Sequence, residues 1–241
     1  MANQIPLVTT LVSAAFTALL LHQYVHRKKR HQLVWTVALA LYSLTAFMEY
    51  LANPDVLGPG LSLIKLYYSG TGPMVGLLGG GVLYLLASKR WSDIYLALVL
   101  ALSAIVVPFT VSAQIPFAEI QSAFSAGLPQ GFITIVKDLP MTARIPTMIL
   151  NISGAIFLIG GSLFSYLKDR RRTYNIPLLL GGILPSFGGA SLGFLNNADI
   201  FFEFEFAGTI LLFLGFILSM RYLTRPRGGV GFPPDRSVHP R

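Results

Sequence analysis

The stretch IPLVTTLVSAAFTALLLHQY (residues 5–24), followed directly by VHRKKR (25–30), decides what kind of chain this is. A run of 20 mainly apolar residues, at ~1.5 Å of helical rise each, matches a hydrocarbon core of ~30 Å. The cluster Arg27, Lys28, Lys29 and Arg30 then closes it. Working outward, runs of the same kind recur at 33–52, 63–87, 94–113, 146–167, 176–195 and 203–222. A segment in lipid must satisfy its own backbone hydrogen bonds, so these runs are helices rather than open strands. The expected fold class is all-α: a polytopic membrane protein, a bundle of seven transmembrane helices over residues 1–223. The tail 224–241, rich in Gly, Pro and Arg, reads as a flexible basic extension.

Charge gives the expected orientation. Of the 18 Lys and Arg residues, 15 follow spans 1, 3, 5 and 7, with only Asp93, Asp169 and Asp235 among them. The other ends and the spans hold Lys65, Lys137 and Arg144 against seven acids. Positive charge is retained in the cytoplasm, so the amino terminus is expected outside and the carboxyl terminus inside. The net charge of +8 is then explained by topology and by contact with membrane lipids, not by nucleic acid. Span 1 has no basic residue before it and a basic cluster after it, the reverse of a cleavable signal, so it is expected to be retained. The absence of cysteine excludes disulfides, thiolate metal sites and thiol nucleophiles.

Most connections are short, which makes successive helices antiparallel neighbours. The exception is the loop 114–143, broken by Pro116, Gly127, Pro129, Gly131 and Pro140. Within it, 117–126 reads as a short interfacial helix and 132–136 as an extended segment. Its apolar content predicts a fold over the outer mouth of the bundle, as a lid or as a structural cap. A division into two three-helix repeats joined by span 4 finds little support, because the glycines and prolines of spans 3 and 7 do not align.

Span 3 carries GxxxGxxxG at Gly72, Gly76 and Gly80, with Pro73 inside it, and span 6 holds Gly181, Gly182, Pro185, Gly188 and Gly189. Such residues let helix backbones approach closely. Alternatively, Gly/Pro-interrupted spans expose backbone to a ligand or move as gates. The first reading places spans 3 and 6 at the centre, packed through glycine, with Gly72, Pro73, Gly76, Gly80, Pro185 and Gly189 as the packing or gating residues.

Ionisable groups inside the membrane are functional candidates by default. Glu49 near the outer end of span 2 and Lys65 one turn into span 3 are expected to pair. Tyr68 and Asn151 complete a candidate ligand pocket beneath the 114–143 loop. Glu203 and Glu205, two apart, point to different faces of span 7 and with Asp199 read as an acidic outer rim. His22 and His26 share a helical face, yet nothing in the other spans completes a metal or haem site, so no metal or cofactor is expected. A retinal Schiff base needs a lysine in the last span, and 203–222 has none. No Ser–His–Asp set, HExxH motif or phosphate-binding glycine loop is present, so no catalytic residue is assigned and an enzyme is not expected.

Trp35, the sequence Glu49-Tyr50-Leu51-Ala52-Asn53-Pro54-Asp55 and the pair Tyr67-Tyr68 give residues 33–90 a further character. This region resembles the seven-helix membrane sensor region that precedes the catalytic module of some bacterial histidine kinases. The resemblance implies a prokaryotic sensory module in the plasma membrane. The sequence ends soon after span 7 with no kinase, so signalling would pass through a partner protein docked on the basic inner face. The expected function is a non-enzymatic sensor-like or accessory protein that binds a small or hydrophobic ligand, a bound lipid included, or a partner subunit or second copy. The alternative is a small-solute carrier in which spans 3 and 6 move.

Overall fold

The structure, a computed structural model, describes residues 4–125, 131–132, 135–195 and 198–224, with backbone alone at 188–195, 198–199 and 220–224. Helix α1 (Ile5–Arg27) has Pro6 in its first turn, where a missing N–H leaves no bond unmade. It stops at Lys28, whose left-handed backbone (φ 52°) lets its N–H donate to Tyr24 O at 2.7 Å. The chain thereby reverses at once into α2 (Arg30–Leu51). Then follow α3 (Leu61–Leu86), α4 (Lys89–Ser112), the short α5 (Phe117–Ser125) and a 3-10 turn at Val136–Asp138. Helix α6 (Met141–Lys168) is interrupted by a π-turn at Ile156–Gly160, and α7 (Asn175–Leu195) and α8 (Ala198–Thr224) complete the chain.

Six of these helices are long and apolar enough to cross a membrane: α1 to α4, α6, and α8 over Ile200–Ser219. The apolar part of α7 described with side chains, Asn175–Phe187, is shorter. Among the described residues there is no strand. The chain is a helical, integral-membrane type of protein.

Helix α3 is the hub, packed along α2, α4 and α6. Its motif glycines face those neighbours: Gly72 abuts Thr147, Gly76 abuts Leu150 and Val99, and Gly80 lies beside Tyr95. The tightest approach falls outside the motif. A Cβ built on Gly79 would lie 2.7 Å from Gly154 Cα, so there the α3 and α6 backbones touch. Gly81 makes room for the Trp35 indole, whose N–H donates to Leu78 O at 3.0 Å.

The expectation that spans 3 and 6 meet at the centre is half corrected. Helix α7 packs instead along α8 and against the π-turn of α6. Its Gly181 receives the Leu212 backbone, and its Pro185 ring rests on Gly208. The reason is that glycine faces pair off locally: α6 already fills the α3 face, and α8 fills that of α7. The surroundings of Gly189 lie outside the described residues, as does the tail from 225 on.

At the end opposite the basic clusters, α5 forms as expected and lies over the helix ends. Ile120, Phe124, Phe132, Ile135 and Leu139 bury themselves against Ala52, Ile64, Tyr68 and Phe202. The segment expected to be extended is helical instead at 131–132 and 135, running into the 3-10 turn. Phe132 and Ile135 are three apart and both buried. A helical turn puts that spacing on one face, whereas a strand would send the two residues to opposite faces.

Candidate functional site

The residues singled out from the sequence do not converge. Glu49 is almost fully buried, at 2% exposure, near the end of α2. Lys65 turns the other way and donates from Nζ to Val111 O on α4 at 2.7 Å, so the expected Glu49–Lys65 pair is not made. The residue of α3 that faces Glu49 is Tyr67. Two residues along a helix rotate the side chain by about 200°, which carries Lys65 round to α4. Tyr68 belongs to the apolar core beneath the cap, edge-on to Phe132 at 6.5 Å between centroids. Asn151 sits on α6 next to Leu150, which faces Gly76. Gly76 lies nine residues along α3 from Tyr67, or roughly 13 Å. The candidate pocket under the loop is therefore occupied by the side chains of the cap itself.

Glu49 has an unexpected neighbour. Its carboxyl group lies beside that of Glu205 on α8, with Tyr67 and Tyr42 adjoining. The Thr209 hydroxyl donates to Tyr42 Oη at 2.7 Å, and Tyr42 in turn donates to the Glu205 carbonyl at 3.4 Å. Glu49 Oε2 has no hydrogen-bond partner among the described residues. Read from the sequence, Glu205 belongs to an acidic rim; of its two glutamates, Glu203 is exposed and Glu205 is half-buried against α2.

A cavity opens at the opposite, basic end. It has a volume of about 740 Å³, within the range of small-molecule sites. Several helix ends bring its wall together. The ends of α1 and α2 supply Gln23, Arg27, Lys29, His31 and Gln32, and the last turns of α3 supply Leu85 and Leu86. The second half of α6 gives Ser162, Ser165 and Asp169, and the turn into α7 gives Arg172, Tyr174 and Asn175. The π-turn matters here: one extra residue rotates the rest of α6 by about 100°, re-aiming Ser162 and Ser165.

The floor is apolar. Trp35, Val82, Leu178 and Phe216 close it, with Trp35 edge-on to Phe216 at 5.6 Å between centroids. A crevice of about 20 Å³ shares Trp35, Leu178 and Phe216 with this floor and is closed by Phe16, Leu39, Leu78, Leu158 and Leu212. On the polar wall, Asn175 Nδ2 donates to Ser165 Oγ at 3.0 Å, and Gln32 Nε2 donates to Gln23 Oε1 at 3.3 Å. Arg172 Nε reaches Asp169 at 3.3 Å. Gln32 Oε1 and Ser162 Oγ, on residues 3% and 2% exposed, have no partner among the described residues.

No protein-family model, curated protein or solved structure matches this chain. What the cavity can do follows from its side chains. Buried polar groups are ordinarily hydrogen-bonded, so two open ones on a wall that also bears cations form a surface prepared for a polar group, and the apolar floor suits an apolar body. Sequence reading passed over it because Gln32, Ser162 and Asn175 are individually unremarkable and the basic clusters were explained by topology. The π-turn that aims Ser162 leaves no residue-type signal. The histidine pair at the basic end of α1 has a simpler account: His26 Nδ1 lies 2.7 Å from His22 O, the bond of a helix terminus.

Proposed function

We propose that this chain is a non-enzymatic, sensor-like or accessory membrane protein that binds a small ligand with an apolar body in the basic-end cavity. In this reading α7 is the sixth of seven spans, the amino terminus lies outside and the cavity opens to the cytoplasm of a prokaryotic cell. The unbroken alternation of basic and cation-poor connections supports that orientation. The observation that carries the binding role is a cavity of about 740 Å³ lined both by polar and cationic side chains and by the apolar Trp35, Leu178 and Phe216. The resemblance of residues 33–90 to kinase sensor regions favours an output through a partner protein on the same basic face.

The carrier reading rests on the proline-interrupted helices α3 and α7, with Pro73 and Pro185, and on the π-turn of α6. One experiment separates the two. The chain has two tryptophans, and Trp91 is 65% exposed, so a Trp91→Phe variant reports on Trp35 alone. In proteoliposomes, small-molecule fractions extracted from the native membrane and cytosol are tested for saturable shifts in Trp35 emission and for uptake. Binding without uptake is expected. Uptake that falls in Pro73→Ala would establish the carrier instead, and no shift with any fraction would remove the cavity as the site.

A further inference from the structure

Building on the ligand-binding reading above, we infer that the basic-end cavity takes a phosphate-headed amphiphile, with Arg27 and Arg172 holding the phosphate. Three observations converge on that chemistry. First, the wall carries Arg27, Lys29 and Arg172 against a single acid, Asp169. Asp169 is matched to Arg172, and neither Arg27 nor Lys29 has a carboxylate partner among the described residues. An anion is the group that this excess of cations recognises.

Second, the two open polar atoms differ in kind. The Ser162 hydroxyl can donate to a charged oxygen, while Gln32 Oε1 only accepts. A phosphate oxygen, from a monoester or a lipid diester alike, is the acceptor that the Ser162 hydroxyl lacks. Third, cationic and apolar side chains line one and the same cavity, Arg27 and Arg172 together with Trp35 and Phe216. Its place at the basic ends of the helices is the depth at which lipid phosphates lie. The phosphate can thus come from a bilayer lipid or from a soluble alkyl phosphate.

The test uses the full chain carrying Trp91→Phe, in nanodiscs of phosphatidylcholine, with Trp35 emission as readout. Decyl phosphate is expected to bind at least roughly tenfold tighter than decanol. Arg27→Gln combined with Arg172→Gln should abolish that preference and leave decanol binding intact, which also shows that the variant is folded. Asp169→Asn, which frees Arg172, should tighten decyl phosphate. Lys89→Gln with Arg90→Gln, outside the cavity, should keep the preference; its loss there would mean general surface attraction and would overturn the inference. Equal binding of decanol and decyl phosphate would also overturn it while leaving the cavity as a ligand site. Failure of both to bind would bring down the binding reading as well. Discs containing phosphatidylglycerol distinguish the sources: competition with decyl phosphate supports a bilayer lipid, and no competition supports a soluble phosphate.

Discussion

Gly79→Ala tests the packing that positions everything else. A Cβ on Gly79 would lie 2.7 Å from Gly154 Cα and 3.0 Å from its carbonyl carbon, where carbon atoms prefer ~3.5–4.0 Å. The obstacle is backbone and cannot rotate away, so α3 and α6 must part by about 1 Å. Such a gap forfeits roughly a quarter to a half of each ~0.1–0.2 kcal/mol contact across the seam. Leu150, fully buried against Gly76, makes on the order of 40–60 contacts. With about half of them facing α3, it alone loses about 1–2 kcal/mol. Adding the remaining seam gives about 2–4 kcal/mol, from which roughly 1 kcal/mol is recovered because alanine favours helix over glycine. At ~2–4 °C per kcal/mol for a chain of this size, thermal unfolding in detergent followed by circular dichroism should shift down by roughly 2–12 °C. Gly160→Ala, on the same helix as Gly154 but with nothing within 4 Å of the added Cβ, should leave the midpoint unchanged or slightly raised. Equal midpoints for the two variants would refute the reasoning.

Three further outcomes follow from the same geometry. Glu49→Gln keeps the size of a buried side chain that adjoins Glu205 and Tyr67 and supplies an N–H that can still donate to Glu205; its midpoint should stay within about 1 kcal/mol, a few degrees, of wild type, and a larger fall would mean that the second carboxyl oxygen is needed there. Ile120→Ala hollows the fully buried centre of the cap and should cost about 2–5 kcal/mol there, seen as faster amide exchange across Phe117–Ser125; unchanged exchange would show that the cap is held elsewhere. Gly208→Ala would drive a Cβ to 2.7 Å from the Pro185 ring and should lower the midpoint by several degrees, about 1–3 kcal/mol, while an unchanged midpoint would mean that α7 and α8 part easily.

The sequence made the helices legible because a bilayer crossing demands a long apolar run, and such runs have no competing explanation in a chain this short of charge. The α5 helix was legible from breakers on either side of an apolar segment. Partnerships were not. Glu49 and Glu205 are distant in the chain, and only the packing of α2 beside α8 brings them together. Lys65 does not meet Glu49 because helical rotation, which position along the span does not reveal, turns it toward α4: Tyr67, two residues on, faces Glu49 in its stead. Gly79, the closest backbone contact, lies one residue off the repeating motif at Gly72, Gly76 and Gly80. The cavity was hidden most thoroughly. Its wall is contributed by several helix ends, and the turn that aims Ser162 into it depends on a backbone irregularity rather than on a residue type.

Native mass spectrometry of the protein extracted in mild detergent from its own membrane tests the binding cavity most directly. Wild type should carry one small molecule per chain. Gln23→Trp, which sets an indole across the cavity wall beside Gln32, should lose it, and Glu49→Gln at the far end should keep it. A bound molecule that survives Gln23→Trp and disappears in Glu49→Gln would contradict the basic-end site and return the ligand to the capped end.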